Sequence, residues 1–381
     1  MNTDFYQLTM AYAHWKRGNA KQLASFQLYY RKPPFGGTHA MACGLGSAID
    51  HLNNFKFSAD DLDYLRTLQI FEEGFLTYLS TIKFTGDVKA VREGSWVNSK
   101  EPMLQITAPI LECQILETPL LNIINFQTLI ATKAAWVCKA AGDDPVIEFG
   151  LRRAQGFDGA LSASRASYIG GCAGTSNVAA GKAFGIPIKG TMSHAWVMAF
   201  QSEPEAFDAY LEVFPDACIV TVDTYDTVNG VKNAISLGRK LKAIRLDSGD
   251  LGTLSFEARH LLDQAGLKQT QIIASGDLDE YKIRALKQKK APIDVWGVGT
   301  RLVTAYEEPA LTGVCKLASI QNNDGSWRDC HKTSDDEFKS SLPGLLPMQG
   351  NQLIPIFKNG ECLYESPSLH DIRAYATKLP T

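Results

Sequence analysis

Residues 186–197 read Ile-Pro-Ile-Lys-Gly-Thr-Met-Ser-His-Ala-Trp-Val: an apolar, β-branched lead-in, then small hydrogen-bonding residues and one imidazole, His194. The pattern predicts a buried strand over 186–189 that presents His194 beside Thr191 and Ser193. A histidine so placed can carry a proton or a phosphoryl group. Asp223 ends the apolar run Cys218-Ile-Val-Thr-Val-Asp223. It could orient the ring by accepting from one nitrogen, leaving the other as nucleophile, or it could simply cap the next helix. Arg245 and Asp247 lie two apart on a predicted strand and so face one side. An interior guanidinium needs an anion. Asp247 itself would serve; otherwise an anionic substrate does, and Asp247 is left for a ribose diol or Mg²⁺. Ser275-Gly276-Asp277 and Gly297-Val298-Gly299-Thr300 each follow a β-rich segment. Glycine lets backbone N–H groups approach a phosphate, and a following helix start adds a favourable dipole. Phe149 precedes Gly150 and Arg152, an aromatic face near a positive charge, and Tyr6 lies in a polar-flanked helix start. Core packing is the commoner use of such aromatics.

These residues need elements to carry them. From about residue 145, short apolar segments recur at 146–149, 186–189, 218–223, 243–247, 272–275, 293–296 and 314–318. Helical patterns lie between most of them, at 203–213, 228–241, 254–265 and 278–289. Strand alternating with helix predicts a parallel sheet. Polar tips directly after so many strands favour a barrel over an open sheet, where ligand groups cluster at one switch point. Residues before 115 mix helix (4–13, 59–64, 72–79) with a strand at 24–30. A helix is predicted over 118–133, with Pro119 in its first turn, where proline is tolerated. A strand at 353–357 and a closing helix are expected to pack back on the N-terminal region.

With 381 residues, 45% hydrophobic and 21% charged, the chain has the make-up of a folded globular protein of one large domain plus a smaller one, or of two domains. A net charge of −3 and a pI near 6.2 argue against a nucleic-acid partner, which needs a basic surface. The eight cysteines are scattered without a C-x-x-C pair, as expected of reduced thiols in a cytoplasmic protein. Residues 1–6 show neither a basic region nor an apolar one that would mark a signal peptide. The charge-free runs are too short and too polar to span a bilayer, so no membrane partner is expected.

Thr3–Met10, Glu117–Phe126, Glu148–Arg153, Gly174–Val178, Gly190–His194, Val222–Asp226, Ile244–Asp250, Ser275–Glu280 and Gly297–Thr300 together resemble, in order, the nicotinate phosphoribosyltransferase family. The resemblance runs from residue 3 to about residue 320; the text after 330 follows the family only loosely. It implies an α/β fold: an irregular (β/α) barrel over 126–319, and an α+β sandwich-like domain from 1–125 plus 320–381. It implies a homodimer with active sites at the interface. The implied reaction joins nicotinate to phosphoribosyl pyrophosphate in NAD salvage, driven by ATP through a phosphohistidine at His194, with Mg²⁺ required. By resemblance His194 is the phosphorylated residue; Asp223 is expected beside it in catalysis from its place at the end of the apolar run 218–223. Thr191 and Arg245 contact nicotinate, Tyr6 (from the neighbouring subunit) and Phe149 sandwich its ring, and Arg152 faces substrate anions. Asp247 holds the ribose; Ser275, Gly276, Asp277, Gly297, Gly299 and Thr300 form the sugar-phosphate site. Ser176 replaces the aspartate of the related nicotinamide enzyme, which favours nicotinate, since a carboxylate would repel the substrate's own.

Two other readings compete. A quinolinate-using enzyme of the same architecture would need a denser cationic cluster for its dicarboxylate. A silent binding protein on this scaffold would be expected to have lost His194 or Asp247.

Overall fold

The computed structural model describes residues 1–335 and 340–378; residues 336–339 and 379–381 of the expected C-terminal segment lie outside the described residues. The described residues form two compact units, Met1–Thr132 with those of 310–378, and Lys133–Pro309.

The second unit is a curled half-barrel of six parallel strands. Their order is Gly174–Thr175, Val146–Glu148, Val295–Val298, Gln271–Ala274, Leu241–Leu246, Cys218–Thr221. Strands buried on both faces read as continuous apolar runs, and Val146, Ile147, Val220, Ile244, Ile272 and Trp296 are all buried here. Helices between the strands cover the sheet with Ala206, Phe207, Val231, Ala258, Leu262 and Ile283. Each such buried Leu, Ile or Phe side chain contributes roughly 1.5–3 kcal/mol. Three helices begin on acidic caps placed a few residues after a strand: Asp226, Asp250 and Asp279 accept from the N–H groups of Asn229, Gly252 and Lys282. The cap after Cys218–Thr221 is therefore Asp226, and Asp223 is left for other work.

Several elements differ from expectation. Residues 186–189 form no regular strand; Ile188 makes a single parallel bridge to Thr175. Pro187 within the run lacks the N–H that a ladder needs. Gly297 lies inside the strand Val295–Val298 rather than after it. The helix expected over 228–241 stops at Ile235, because Gly238 turns the chain at φ +57 and Leu241 pairs into the sheet with Cys218. The helices Gly156–Ile169 and Val178–Phe184 escaped the sequence pattern, since the first buries mainly small residues (Ala160, Ala163, Ser164, Ala166) that carry little periodic signal.

In the first unit a seven-stranded sheet runs Trp327–Asp329, Gly313–Gln321, Leu23–Tyr30, Leu104–Pro109, Asp87–Ala90, Ile354–Lys358, Glu361–Cys362, with every pairing antiparallel. The segment 314–318, expected to continue the parallel series, instead pairs with Leu23–Tyr30. The tail strand Ile354–Lys358 pairs with Asp87–Ala90, so both chain ends build one sheet. The helix holding 118–133 is Ile110–Ala141, which puts Pro119 well inside it. Proline there removes the N–H that would reach the carbonyl of Ile115. The Thr3 hydroxyl donates to that carbonyl at 3.0 Å and makes good the loss. Among the described residues no helix is long and apolar enough to cross a membrane.

Candidate active site

The strands of the second unit end around a cavity of about 430 Å³. Phe149, Arg152, Ser176, Thr191, Arg245, Asp247, Ser275, Gly276, Asp277, Gly297, Gly299 and Thr300 all line it. Segments far apart in sequence therefore bring their polar tips to one place, at the carboxyl ends of the strands.

The last residues of Leu241–Leu246 supply its cation. Arg245 enters the cavity, and its buried Nε–H has no partner among the described residues. It makes no ion pair with Asp247, so the plainer sequence reading, in which these two neutralise each other, does not hold. Asp247 instead accepts from the Ser275 hydroxyl. A buried donor left unpaired costs about 1–3 kcal/mol, which a bound acceptor would recover. Arg152 and Arg153 line the same cavity. Arg153 was not singled out from the sequence; its place beside Arg152 in the Arg-Arg pair was the available signal.

Asp223 is buried, its side chain 1% exposed. One oxygen accepts from the Thr221 hydroxyl at 3.0 Å; the other accepts from the Asp247 N–H at 3.0 Å and the Ser248 hydroxyl at 2.6 Å. Asp223 thus pins the loop that carries Asp247. His194 is the first residue of the short helix His194–Met198, not the end of a strand, and its side chain is 34% exposed. Its Nε2 lies 3.7 Å from Asp247 and 3.9 Å from Asp223, within ion-pair range but beyond a hydrogen bond. The hydrogen bond expected from Asp223 is absent; the ring's Nδ1 pairs instead with the Thr224 hydroxyl at 3.2 Å. Sequence reading passed over Thr224, which follows Asp223 directly. Thr191 lines the cavity, but its hydroxyl donates to the Ile219 carbonyl.

Two glycines are required by their surroundings. A Cβ on Gly276, where φ is +96, would sit 2.1 Å from the Asp247 carbonyl oxygen. A Cβ on Gly297 would meet the Phe149 ring at 2.7 Å, so the ring's seat on the sheet exists only over glycine. Asp277 also takes a left-handed φ of +48, uncommon for a residue other than glycine.

Among the described residues no group of three His, Cys, Asp or Glu side chains could hold a metal by itself. Asp247 and Asp277 both face the cavity. One or two carboxylates with phosphate oxygens and water is the usual donor set for Mg²⁺, so these residues fit an ion that arrives with a phosphorylated ligand. Tyr6 belongs to the first unit, on the first turn of Phe5–Lys16, with its ring half exposed. Partial burial, and then the nearby Glu117 carboxylate, raise its phenol above the ordinary value, which keeps the ring neutral.

Residues 1–125 match the nicotinate phosphoribosyltransferase (NAPRTase) N-terminal domain, and residues 145–341 match the nicotinate phosphoribosyltransferase (NAPRTase) family. The chain is 46% identical over 351 residues to a nicotinate phosphoribosyltransferase of Bacillus subtilis (strain 168), covering 90% of this chain and 71% of that protein. It is 39% identical over 406 residues to nicotinate phosphoribosyltransferase 2 of Arabidopsis thaliana, covering 89% of this chain and 72% of that one. The crystal structure of human nicotinic acid phosphoribosyltransferase superposes with a TM-score of 0.83 at 28% identity, covering 99% of this chain and 93% of that one. A nicotinate-nucleotide pyrophosphorylase from Pyrococcus furiosus shares the fold, with a TM-score of 0.77 at 24% identity over 99% of this chain and 94% of that one.

Proposed function

This chain belongs to the nicotinate phosphoribosyltransferase family, and on that premise we propose that it joins nicotinate to phosphoribosyl pyrophosphate, forming nicotinate mononucleotide and pyrophosphate with ATP as the driving co-substrate. The observation that carries the reading is Arg245: its buried Nε–H, unmatched by any described residue, shares one cavity with Phe149 and Ser176. A flat, anionic ring calls for that combination of guanidinium, aromatic face and hydroxyl.

In the proposed reaction the pyridine nitrogen bonds to the anomeric carbon while the bond from that carbon to pyrophosphate breaks. The electron pair leaves with pyrophosphate, and no proton moves. The transition state is oxocarbenium-like, so positioning and charge management matter more than a strong base. Asp247 would hold the ribose. Gly276, Asp277, Gly299 and Thr300 would receive the phosphoribosyl group, and Arg152 the departing anion. Bound Mg²⁺ would neutralise charge on the pyrophosphate; the residues suited to it are Asp247 and Asp277.

His194 is proposed to attack the terminal phosphorus of ATP, releasing ADP, with later hydrolysis of the phosphohistidine. A phosphoryl group there would place negative charge beside Asp247 and alter affinity for substrates and products. This supports coupling without a covalent glycosyl intermediate. We read the curled sheet as part of an irregular barrel and the antiparallel unit as its sandwich-like companion, in a cytoplasmic homodimer in which the partner's Tyr6 closes over the ring opposite Phe149.

Incubation with labelled ATP is expected to give an acid-labile, base-stable phosphoryl adduct that disappears in His194→Ala. An adduct that persists in the variant would overturn the role of His194. An active enzyme with no ATP hydrolysis would remove the coupling and reopen the quinolinate reading.

A further inference from the structure

Glu148 is a carboxylate with 1% exposure at the end of the strand Val146–Glu148. Among the described residues it has no cationic partner; three donors hold it instead. The Gly150 N–H donates to one oxygen. The hydroxyls of Ser164 and Thr175 donate to the other, at 2.9 and 2.5 Å. Its own carbonyl accepts from the Ser176 N–H at 3.0 Å. Thr175 in turn accepts from the Asn177 N–H at 2.9 Å, and the Asn177 amide donates to Ser164 at 3.2 Å. Thr175, Ser164 and Asn177 are each at most 2% exposed.

This network spans two strand tips. Phe149 sits between Glu148 and Gly150, and Ser176 sits between Thr175 and Asn177. Both flanks of each of these cavity residues are thus tied to one buried carboxylate. Gly150 can approach because it lacks a Cβ, which would lie 2.9 Å from the Glu148 carboxylate and 2.3 Å from Val303. A carboxylate buried without a cation is costly, and the donated hydrogen bonds are what offset that cost. Here the donors lead to the ring and the hydroxyl that face the ligand.

We infer that Glu148 is a positioning residue for the nicotinate subsite, setting the distance between the Phe149 ring and the Ser176 hydroxyl through its bonds to Gly150 and Thr175. The inference rests on the proposed reaction. It makes nicotinate recognition, rather than phosphoribosyl binding, the property Glu148 controls. The two strands it joins carry no residue of the loops 275–277 and 299–300.

Steady-state kinetics with each substrate varied tests this, using Glu148→Gln and, as a gentler change, Thr175→Val. Both variants are expected to raise KM for nicotinate at least fivefold while KM for phosphoribosyl pyrophosphate changes less than twofold. A merely structural role would lower kcat through a smaller folded fraction and leave both KM values alone; that result overturns the inference. If Glu148→Gln does not fold, Thr175→Val decides alone. A wild-type protein that makes no nicotinate mononucleotide refutes the proposed reaction. An active wild type whose two variants keep KM for nicotinate within twofold refutes only the role of Glu148.

Discussion

On the proposed reaction, Ser176, which lines the cavity, would set the choice of substrate. Its hydroxyl can donate to a substrate carboxylate, whereas a carboxylate at the same point would repel it. Ser176→Asp is expected to lower kcat/KM for nicotinate at least tenfold, about 1.4 kcal/mol in transition-state binding; unchanged kinetics would remove Ser176 from the subsite. At this scale the cavity lining was partly legible: Asp247, Ser275 and Gly276 stand after apolar runs and face the cavity, whereas His194 begins a short helix and does not end a strand. Glu148 left one signal, a charge within the apolar run Val146-Ile-Glu-Phe149, since a charge buried in a strand must find partners. Which partners it finds was not legible, because Ser164 and Thr175 come from other elements.

Elements were legible in outline: the patterns at 228–241, 254–265 and 278–289 mark three helices, while their caps, Asp226, Asp250 and Asp279, emerge in the structure, where each accepts from the first turn as the capping rule directs. The long helix Ile110–Ala141 broke a local rule, and a distant residue mended it. Pro119 ought to start a helix, yet it lies inside one, and Thr3 supplies the missing donor to Ile115. Thr3→Ala is therefore expected to cost about 1 kcal/mol in stability. The cost should fall toward zero in a Pro119→Ala background, where residue 119 regains its own N–H. A double-mutant cycle from chemical denaturation checks this, and additive costs would count against it.

At the scale of the whole molecule, a fully buried cation is met by carboxylates from distant parts of the chain. Lys133, fully buried, donates to Glu280 at 2.9 Å and to Glu307 at 2.5 Å. Arg301 joins Asp279 at 3.3 Å and Glu307 at 3.7 Å. These pairs brace the segments just beyond the loops 275–277 and 299–300 that line the cavity. Lys133→Met would strand the buried Glu280 carboxylate at a cost of roughly 3–5 kcal/mol. A clear fall in Tm by thermal denaturation is the expected outcome, and an unchanged Tm would show that the ion pairs contribute nothing.

From its own text the chain determined what is local: apolar runs that become strands, caps that start helices, and the residue types that stand after them. Tertiary structure alone decided the sheet order, the transfer of 313–321 to the antiparallel sheet, the neighbours of His194, and the freedom of Arg245 from Asp247. Periodicity and capping act over a few residues, so a linear text can carry them. Strand partners and burial depend on atoms brought together from a hundred residues apart, which no short stretch of that text contains.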